Sequence, residues 1–293
     1  MYLIIFNPTA GAGRSYKALG VVEQILKEKE IEYNIQKTEY KEHAVEIAKN
    51  AVGKGYEGII SVGGDGTLLE VAQALQRTGE TLGIIPAGTG NDFRESVGIP
   101  QGAAQALKII LSGHRKNVDV GLINNKKIFL NVAGCGFDVD VIKNTAKVRR
   151  VFTGGLAYLL GIIMSILGHK SVELKITADG KELKRDVLLI AIANGKCYGG
   201  GLKIAPNSSV SDGLFNIVVI NRLAKHRILT ELPKLKRGQL GKISAAEQFI
   251  CKEITIDCGK KLSFNLDGEV WGQTPMTFCV RSGALSVFCP EDI

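Results

Sequence analysis

The sequence lacks the signatures of several common enzyme classes. No Ser-His-Asp signature, HExxH pattern or GxxxxGK pattern is present, which argues against hydrolase, zinc enzyme and P-loop interpretations. Its six cysteines form no CxxC pair and have no histidine at metal-ligand spacing, so they are interpreted as buried, reduced thiols. The first residues, MYLIIF, read as a strand, too short and uncharged for a signal peptide. We therefore expect a cytoplasmic protein.

Length and charge indicate the number of domains and the kind of binding partner. A chain of 293 residues is long enough for about two domains. Lysine and arginine (37) exceed aspartate and glutamate (29) by 37 − 29 = 8, which favours an anionic partner such as a nucleotide, a nucleic acid or an anionic lipid headgroup. The basic residues are not interleaved with aromatic ones as in single-strand binders, so we expect no nucleic acid.

Three glycines enclose one carboxylate in SVGGDGTLLE, residues 61–70, between a strand pattern and a helix pattern. Glycines allow a ligand to lie against the backbone, and a helix N-terminus beside them suits a phosphate. Asp65 is then predicted to bind the Mg²⁺ that accompanies a polyphosphate, or a ribose hydroxyl. The alternative is a tight turn between strand and helix, with Thr67 as the helix N-cap.

Two further loops have a similar composition. NPTAGAG (residues 7–13) follows a strand pattern at 2–6, and PAGTGND (residues 86–92) follows one at 82–85. The carboxyl ends of parallel strands meet at one edge of a sheet, where ligands bind. Three such loops at one edge favour a ligand site over three unrelated turns.

Together, FNPTAGAG, GGDGTLLE and PAGTGNDF resemble the catalytic domain of the diacylglycerol kinase and sphingosine kinase superfamily, and above all its compact bacterial lipid kinases. The resemblance extends from Asn7 to the LDGE segment at 266–269. It implies an ATP- and Mg²⁺-dependent kinase of a lipid hydroxyl, with diacylglycerol converted to phosphatidic acid as the first-choice reaction. The nucleotide-binding residues that it implies are Asn7, Pro8, Thr9, Ala10, Gly11, Thr38, Gly63, Gly64, Asp65, Gly66, Thr67, Leu68, Leu69, Gly88, Thr89, Gly90 and Asn91. Leu69 departs from the family, which commonly has asparagine there.

The resemblance also implies catalytic carboxylates. Asp65 and Asp119 would order Mg²⁺, Glu269 would be the general base and Asp267 its acidic partner. By local chemistry alone, Asp119 is an ordinary strand-edge aspartate and Asp267-Gly268 a two-residue hairpin turn. The loop at 206–214 resembles a structural-metal loop, whose ligands would be Ser209, Asp212 and Leu214.

The order of patterns predicts the fold. Strands and helices alternate up to about residue 118, which indicates an α/β domain around a parallel sheet. Short alternating strands then indicate an antiparallel β-sandwich, with strands predicted at 127–133, 172–178, 253–257, 276–280 and 285–289 among others. The resemblance implies that the first domain is Rossmann-like, of the NAD kinase and diacylglycerol kinase type, and that the last strand returns to it. We predict a nucleotide-binding domain at 1–120, with 281–293 returning to it, and a lipid-substrate domain at 121–280.

One apolar stretch, Phe152–Gly168, has 17 residues, the lower limit for crossing a bilayer. Its four glycines favour a buried core helix, with one apolar face formed by Leu156, Leu159, Leu160, Ile163 and Leu167. The wall of an acyl pocket and a membrane span are the alternatives. Two basic stretches, Lys147–Arg150 and Lys225–Lys242, are predicted to dock reversibly on an anionic membrane, against the alternative of solvated faces.

Two other functions stay open on the sequence alone. An NAD kinase-like small-molecule kinase shares the GGDGT loop, although the chain has no Asn-Glu pair. A non-catalytic nucleotide-binding regulator could dispense with the LDGE segment. The sequence leaves open the lipid alcohol, ATP against GTP, monomer against homodimer, and occupancy of the metal loop.

Overall fold

The computed structural model describes residues 1–149, 152 and 154–291. Arg150 of the first basic stretch, Thr153 of the apolar stretch and residues 292–293 of the predicted C-terminal return lie outside the described residues.

The described residues form two compact units. The first unit comprises Met1–Val120, Val210–Gly213 and the residues from Arg281 onward, and the second comprises Gly121–Ser209 and Leu214–Val280. The segment Val210–Gly213 therefore clusters with the first unit, whereas the sequence analysis includes it in the second domain.

The first unit is built on a parallel sheet. The elements of this unit are β1 (Tyr2–Phe6), α1 (Arg14–Glu28), β2 (Tyr33–Lys37), α2 (His43–Ala51), β3 (Gly58–Gly63), α3 (Asp65–Leu75), β4 (Thr81–Pro86), α4 (Phe93–Ser96), α5 (Ala103–Ser112), the first part of β5 (Arg115–Ile123) and the last part of β15 (Met276–Phe288). In the sheet the strands lie in the order β15-β4-β3-β1-β2, and each neighbouring pair is parallel.

Continuous apolar runs explain this sheet. All residues of β1, β3 and β4 are buried, as expected for strands covered on both faces. Helix α1 buries one face, represented by Val22 and Leu26. Burial of each such side chain stabilises the unit by roughly 1.5–3 kcal/mol. The predicted parallel α/β region is confirmed.

The second unit is built from antiparallel strands. Its elements are the last part of β5, β6 (Lys127–Phe129), β7 (Val132–Gly136), α6 (Phe137–Val148), α7 (Gly154–Gly168), β8 (Val172–Ala178), β9 (Lys181–Ala193), β10 (Phe215–Asn221), α8 (Lys225–Lys236), β11 (Ala246–Cys251), β12 (Glu253–Asp257), β13 (Phe264–Leu266), β14 (Glu269–Trp271) and the first part of β15.

Strand β9 shows how this unit is layered. Val187, Ile190 and Ile192 pack into a core formed by strand residues, whereas Leu188 and Ala191 pack into a second core with residues of α6, α7 and α8. From Leu189 to Ala193 the two faces alternate with the two-residue period of a strand, and a register shift at Leu188 interrupts that period. The predicted antiparallel C-terminal region is confirmed.

Several predicted boundaries were wrong. Helix α3 begins at Asp65 with Gly64 as its N-cap, so Thr67 is not the cap. The strand predicted at 127–133 is broken into β6 and β7, and the two strands predicted at 276–280 and 285–289 are one strand, β15. The glycine in the middle of β15, Gly283 (φ +57°), made the sequence look interrupted.

Helix α7 is not a buried core helix. On the face predicted to enter the core, Leu156, Leu159, Ile163 and Leu167 are 52%, 53%, 40% and 68% exposed, and Leu160 is half-buried. No described helix is long and apolar enough to cross a membrane.

Candidate active site

Three glycine-containing loops meet at one edge of the parallel sheet. Phe6 is paired with Val62 and Gly63 with Pro86, so β1, β3 and β4 end side by side. The loops after these strands are 7–13, 64–67 and 87–92. The predicted convergence is therefore present, and we call this group the three-loop cluster.

In the three-loop cluster, the backbones of neighbouring loops lie so close to each other that a side chain at Gly11 or Gly88 would overlap the next loop. A Cβ atom on Gly88 would lie 2.3 Å from the Cα atom of Gly64. One on Gly11, which has a φ of +62°, would lie 2.0 Å from the carbonyl oxygen of Ala87. Only glycine satisfies both the contact and the positive φ at position 11.

Side chains then fasten the first two loops together. The Asn7 amide donates from Nδ2 to Thr67 Oγ1 at 2.8 Å, while its Oδ1 accepts from the Thr9 backbone N–H at 3.0 Å and from the Thr9 hydroxyl at 2.8 Å. Asn91, at the third loop, closes its own turn by accepting from Gly88 N at 2.8 Å and donating to Gly88 O at 3.0 Å.

Arg14 was missed by the sequence analysis. Its guanidinium donates to the carbonyl oxygen of Gly11 and to the hydroxyl of Thr89, each at 3.0 Å. The side chain is exposed, so it places a positive charge where the first and third loops meet. An arginine directly after a glycine loop that is expected to bind phosphate was the available signal.

Asp65 holds the third loop. Its two carboxylate oxygens accept hydrogen bonds from the backbone N–H groups of Asn91 and Asp92, at 2.6 and 2.7 Å. Burial and then the nearby Asp92 raise the pKa of Asp65, and the N–H donors oppose this. These contacts support a role in positioning the loop. Its predicted contact with Mg²⁺ or ribose stays a prediction.

The other predicted nucleotide-binding residues divide by exposure. Thr38 follows β2 at the same edge, where its N–H donates to Phe6 O at 2.9 Å, and its side chain is buried. The Leu68 side chain is buried, whereas that of Leu69 is half-buried. Thr9, Gly66 and Thr89 are exposed, and the half-buried residues are Pro8, Ala10, Gly64 and Gly90.

Asp119 connects three separate segments of the first unit. Its carboxylate accepts from the N–H of Gly213 at 2.7 Å and of Gly283 at 2.8 Å, and its own N–H donates to Val210 O at 2.6 Å. The side chain is almost completely buried, at 2% exposure. This arrangement supports a positioning role, and its ordering of Mg²⁺ stays a prediction.

The predicted structural-metal ligands fall in different units. Ser209 and Leu214 belong to the second unit and the exposed Asp212 to the first. Among the described residues, no group of three or more His, Cys, Asp or Glu side chains is placed to hold a metal. The metal loop stays a prediction.

In the second unit, the LDGE segment is a hairpin. Leu266 pairs with Glu269 across Asp267 and Gly268, whose φ values are +46° and +95°, as in a type I′ turn. The Asp267 carboxylate accepts from the backbone N–H groups of Leu130, Asn131 and Val132 at 2.7, 2.9 and 2.9 Å. The local interpretation as a turn is therefore correct, and it is compatible with the implied catalytic role.

Glu269 differs in exposure from Asp65, Asp119 and Asp267. Its side chain is 50% exposed, and the Lys127 ammonium lies 4.0 Å from its carboxylate. The structure thus contains one predicted catalytic carboxylate at the surface, where it can meet a substrate hydroxyl.

Comparison with known proteins agrees with this architecture. A model of the diacylglycerol kinase catalytic domain matches residues 1–123, and a model of the YegS C-terminal NAD kinase beta sandwich-like domain matches residues 131–289. A probable lipid kinase YegS-like protein of Klebsiella pneumoniae (strain 342) is 35% identical, over 99% of this chain and 96% of its own length. A diacylglycerol kinase of Staphylococcus aureus (strain MRSA252) is 30% identical, over 99% and 92%. The crystal structure of a diacylglycerol kinase from Bacillus anthracis str. Sterne superimposes with a TM-score of 0.75 at 26% identity, covering 99% of this chain and 97% of that one.

Proposed function

This chain belongs to the diacylglycerol kinase family, and on that premise we propose that it transfers the γ-phosphoryl group of ATP to the hydroxyl of a membrane lipid. Diacylglycerol is the first-choice acceptor and phosphatidic acid the product. The observation that supports this most directly is the three-loop cluster, in which backbone N–H groups, the N-terminus of α3 and the Arg14 guanidinium stand at one sheet edge. Such a site suits a polyphosphate.

In the proposed reaction, the lipid hydroxyl oxygen attacks the γ-phosphorus of ATP while the bond from that phosphorus to the bridging oxygen breaks. ADP leaves, and the hydroxyl proton passes to the carboxylate of Glu269. Asp267 acts by fixing the hairpin that carries Glu269, since its own oxygens hold backbone N–H groups.

Mg²⁺ enters the proposal with the nucleotide. The described residues offer no resident site of three or more side-chain ligands, and the oxygens of Asp65 and Asp119 already accept backbone N–H groups. A Mg²⁺ held mainly by phosphates and water needs only one or two protein carboxylates. The ion would supply neutralisation of phosphate charge, while positioning and proton transfer stay with the side chains of the protein.

A lipid substrate also places the enzyme at a membrane surface. We propose peripheral contact from the cytoplasmic side, with the acceptor hydroxyl at the level of the headgroups. The excess of eight positive charges supports attraction to an anionic leaflet.

The decisive experiment supplies radiolabelled ATP and Mg²⁺ with a panel of acceptors in mixed micelles: diacylglycerol, phosphatidylglycerol, sphingosine and, as a soluble acceptor, NAD⁺. We expect label in phosphatidic acid. Label only in NADP⁺ would replace the lipid kinase with a small-molecule kinase. ATP binding without transfer to any acceptor would indicate a regulator.

Two variants of the three-loop cluster connect that activity to the site. Asp65→Asn replaces one acceptor oxygen with an NH₂ group facing a backbone N–H, so we expect at least a hundredfold loss of activity together with a lower melting temperature.

A Cβ on Gly66 meets nothing within 4 Å. Gly66→Val should therefore retain the fold but weaken ATP binding, because its side chain occupies space at the N-terminus of α3. Unchanged ATP affinity in Gly66→Val would argue that the loops are only turns.

A further inference from the structure

Helix α7 has small residues and Ile166 inside and most of its large apolar residues outside. We define the outer face of α7 by Leu156, Leu159, Ile163 and Leu167, each at least 40% exposed. The side that packs on α6 contains Ala157, Gly161 and Ser165 at spacings of four residues, and all three are buried or half-buried. This is the reverse of the usual surface helix, which buries its large apolar side chains.

The inner contacts fix this orientation. A Cβ on Gly161 would lie 2.2 Å from the hydroxyl oxygen of Thr145 in α6. Ser165 Oγ donates to Gly161 O at 2.7 Å and accepts from the Asn144 amide at 3.0 Å. Rotation of the helix to bury a leucine would bring a large side chain to a place that has no room for one carbon atom. The outer face therefore stays turned to the outside.

A basic pocket of about 610 Å³ adjoins the C-terminal end of α7. Its lining includes His169, Lys170, Arg222 and Lys225, with Leu188 and Ile228 among its apolar residues. This combination of size and lining suits a ligand with an anionic group and an apolar part.

Contacts tie this pocket to α7 and leave one polar atom in it unsatisfied. The Lys225 ammonium donates to the carbonyl oxygen of Leu167, the last residue of the outer face. The His169 side chain is 6% exposed, and its Nδ1 lies 3.1 Å from Asp140. Its other nitrogen, Nε2, is buried and has no hydrogen-bond partner within the described part of the chain. In the imidazolium form, Nδ1–H donates to Asp140 and Nε2–H can donate to an anionic oxygen.

We propose that the outer face of α7 inserts into the surface of an anionic phospholipid bilayer, and that the basic pocket at its end receives a lipid phosphate. The proposal rests on the proposed function in one respect: a lipid kinase must reach a bilayer. An interfacial helix buries its apolar face to a depth of roughly 5–10 Å and is held by basic residues beside it. Both components are present in this part of the second unit.

Charge favours a bilayer over a second copy of the chain. Lys147 lies beside α7 through Asn144, at 3.5 Å, and Lys225 touches its last turn. A twofold contact centred on the outer face would bring the same basic residues of both copies together. An anionic surface attracts them instead. Beyond Lys225, two residues of the second predicted basic stretch are less available, because Arg227 and Lys234 pair with Glu231 at 3.6 and 2.8 Å.

The first test is flotation of the full chain with vesicles of equimolar phosphatidylglycerol and phosphatidylcholine. Leu159→Glu combined with Ile163→Glu should weaken binding at least tenfold. Ile250→Glu changes an apolar residue of the same unit that is 59% exposed and should bind like the wild type. Kinase activity on a monomeric short-chain diacylglycerol should be equal in all three proteins, which separates docking from chemistry.

The second test concerns the pocket. Lys170→Ala with Arg222→Ala should weaken binding to the anionic vesicles by about fivefold for each charge removed, and should not change binding to pure phosphatidylcholine. The exposed pair Lys17→Ala and Lys108→Ala is the matched control in the first unit. Equal losses in both pairs would overturn the pocket assignment.

Other outcomes would overturn the docking surface itself. Undiminished vesicle binding by the glutamate variants would place the membrane contact elsewhere, with the kinase proposal intact. A wild-type dimer that these variants convert to monomers would assign the outer face to self-association. No binding to vesicles of either composition would end the proposal, and the short-chain activity would then decide independently whether the chain is a lipid kinase.

Discussion

Two hairpins of the second unit have the same turn and different surroundings. In the first, Ala178 pairs with Lys181 across Asp179 and Gly180, which have φ values of +44° and +81°. In the second, Asp267 and Gly268 have nearly the same angles, +46° and +95°. Because the turns are alike, turn geometry cannot be what distinguishes the proposed catalytic segment from a structural one.

The two hairpins differ in the groups that each aspartate binds and in the residue after the turn. Asp179 accepts N–H groups of two exposed residues, Lys252 and Glu253. Asp267 accepts three N–H groups, those of the buried residues 130–132. The residue after the first turn is a lysine, and after the second turn it is Glu269. Matched substitutions in the two hairpins should therefore differ most at the aspartates and least at the exposed ion pairs.

The largest effect is expected for Asp267→Ala. It leaves three buried N–H groups without their acceptor, so the free energy of unfolding should fall by about 4 kcal/mol, and activity should be lost with the positioning of the hairpin. Asp179→Ala exposes its N–H groups to water and should cost about 1 kcal/mol. Urea unfolding of both variants checks this, and equal losses would contradict the distinction.

The next largest effect is expected for Asp138, through the pH dependence of stability. The Asp138 carboxylate accepts a hydrogen bond, at 3.1 Å, from the side-chain amide of Asn265, which lies in the strand that leads into the second turn. Burial raises the pKa of Asp138 from 3.8 to about 6, against the opposing effect of Asn265. The folded protein therefore holds this proton more tightly than the unfolded chain. Its stabilising contribution is full below about pH 3.8 and is lost as the pH rises through about 6.

Asp138→Asn removes that dependence. Above about pH 6 the variant should be more stable than the wild type by on the order of 3 kcal/mol, and at about pH 3.8 the two should converge. Unfolding titrations across this range provide the measurement. A wild-type stability that is flat through the range would show that Asp138 does not titrate as its burial implies.

Glu269→Gln should lower kcat about a hundredfold, equivalent to about 2.7 kcal/mol, with little change in ATP affinity or melting temperature, because the side chain is half-exposed. Glu182→Gln, at the first hairpin, should leave kcat unchanged. Wild-type turnover in Glu269→Gln would mean that the second hairpin, like the first, is only a turn and has no catalytic role.

The smallest effect is expected for the exposed ion pairs. Lys127 lies 4.0 Å from Glu269, and Lys175 lies 2.7 Å from Glu182 in the first hairpin. Removing either lysine should cost less than about 1 kcal/mol of unfolding free energy. Thermal melts of Lys127→Ala and Lys175→Ala should therefore be nearly equal, and a large loss in only one would mean that its carboxylate partner is less hydrated than its exposure indicates.

The sequence predicted those features of the fold that depend on local pattern. Apolar runs identified β1, β3 and β4, and alternation identified β8 and β12 with their full bounds. The convergence of the three loops followed from a rule about parallel sheets. Contacts between distant residues could not be predicted in this way: Asp65 holding Asn91, Asp119 holding Gly283, and Arg14 reaching Thr89.

Helix α7 is a case in which a contact between distant residues made a prediction from the local pattern wrong. Its hydrophobicity correctly predicted a helix, and burial was inferred because apolar side chains usually face a core. The orientation was decided by Gly161, whose contact with Thr145 cannot be read from the helix sequence. The strand prediction failed at β15 for a related reason, because Gly283 sits inside a continuous strand where Asp119 binds its N–H.

The arrangement around Asp119 has a consequence for the synthesis of the chain. A ribosome completes the first 120 residues long before it adds Gly213 and Gly283, the two amides that the Asp119 carboxylate binds. The strand that pairs with Thr81 and Leu82 on β4 arrives later still, with Ser286 and Val287. Domains generally fold in the order in which they emerge. Here residues 1–120 must wait, with β4 unpaired on one side, until Val287 has left the exit tunnel, and during this interval the unpaired edge is open to edge-to-edge aggregation.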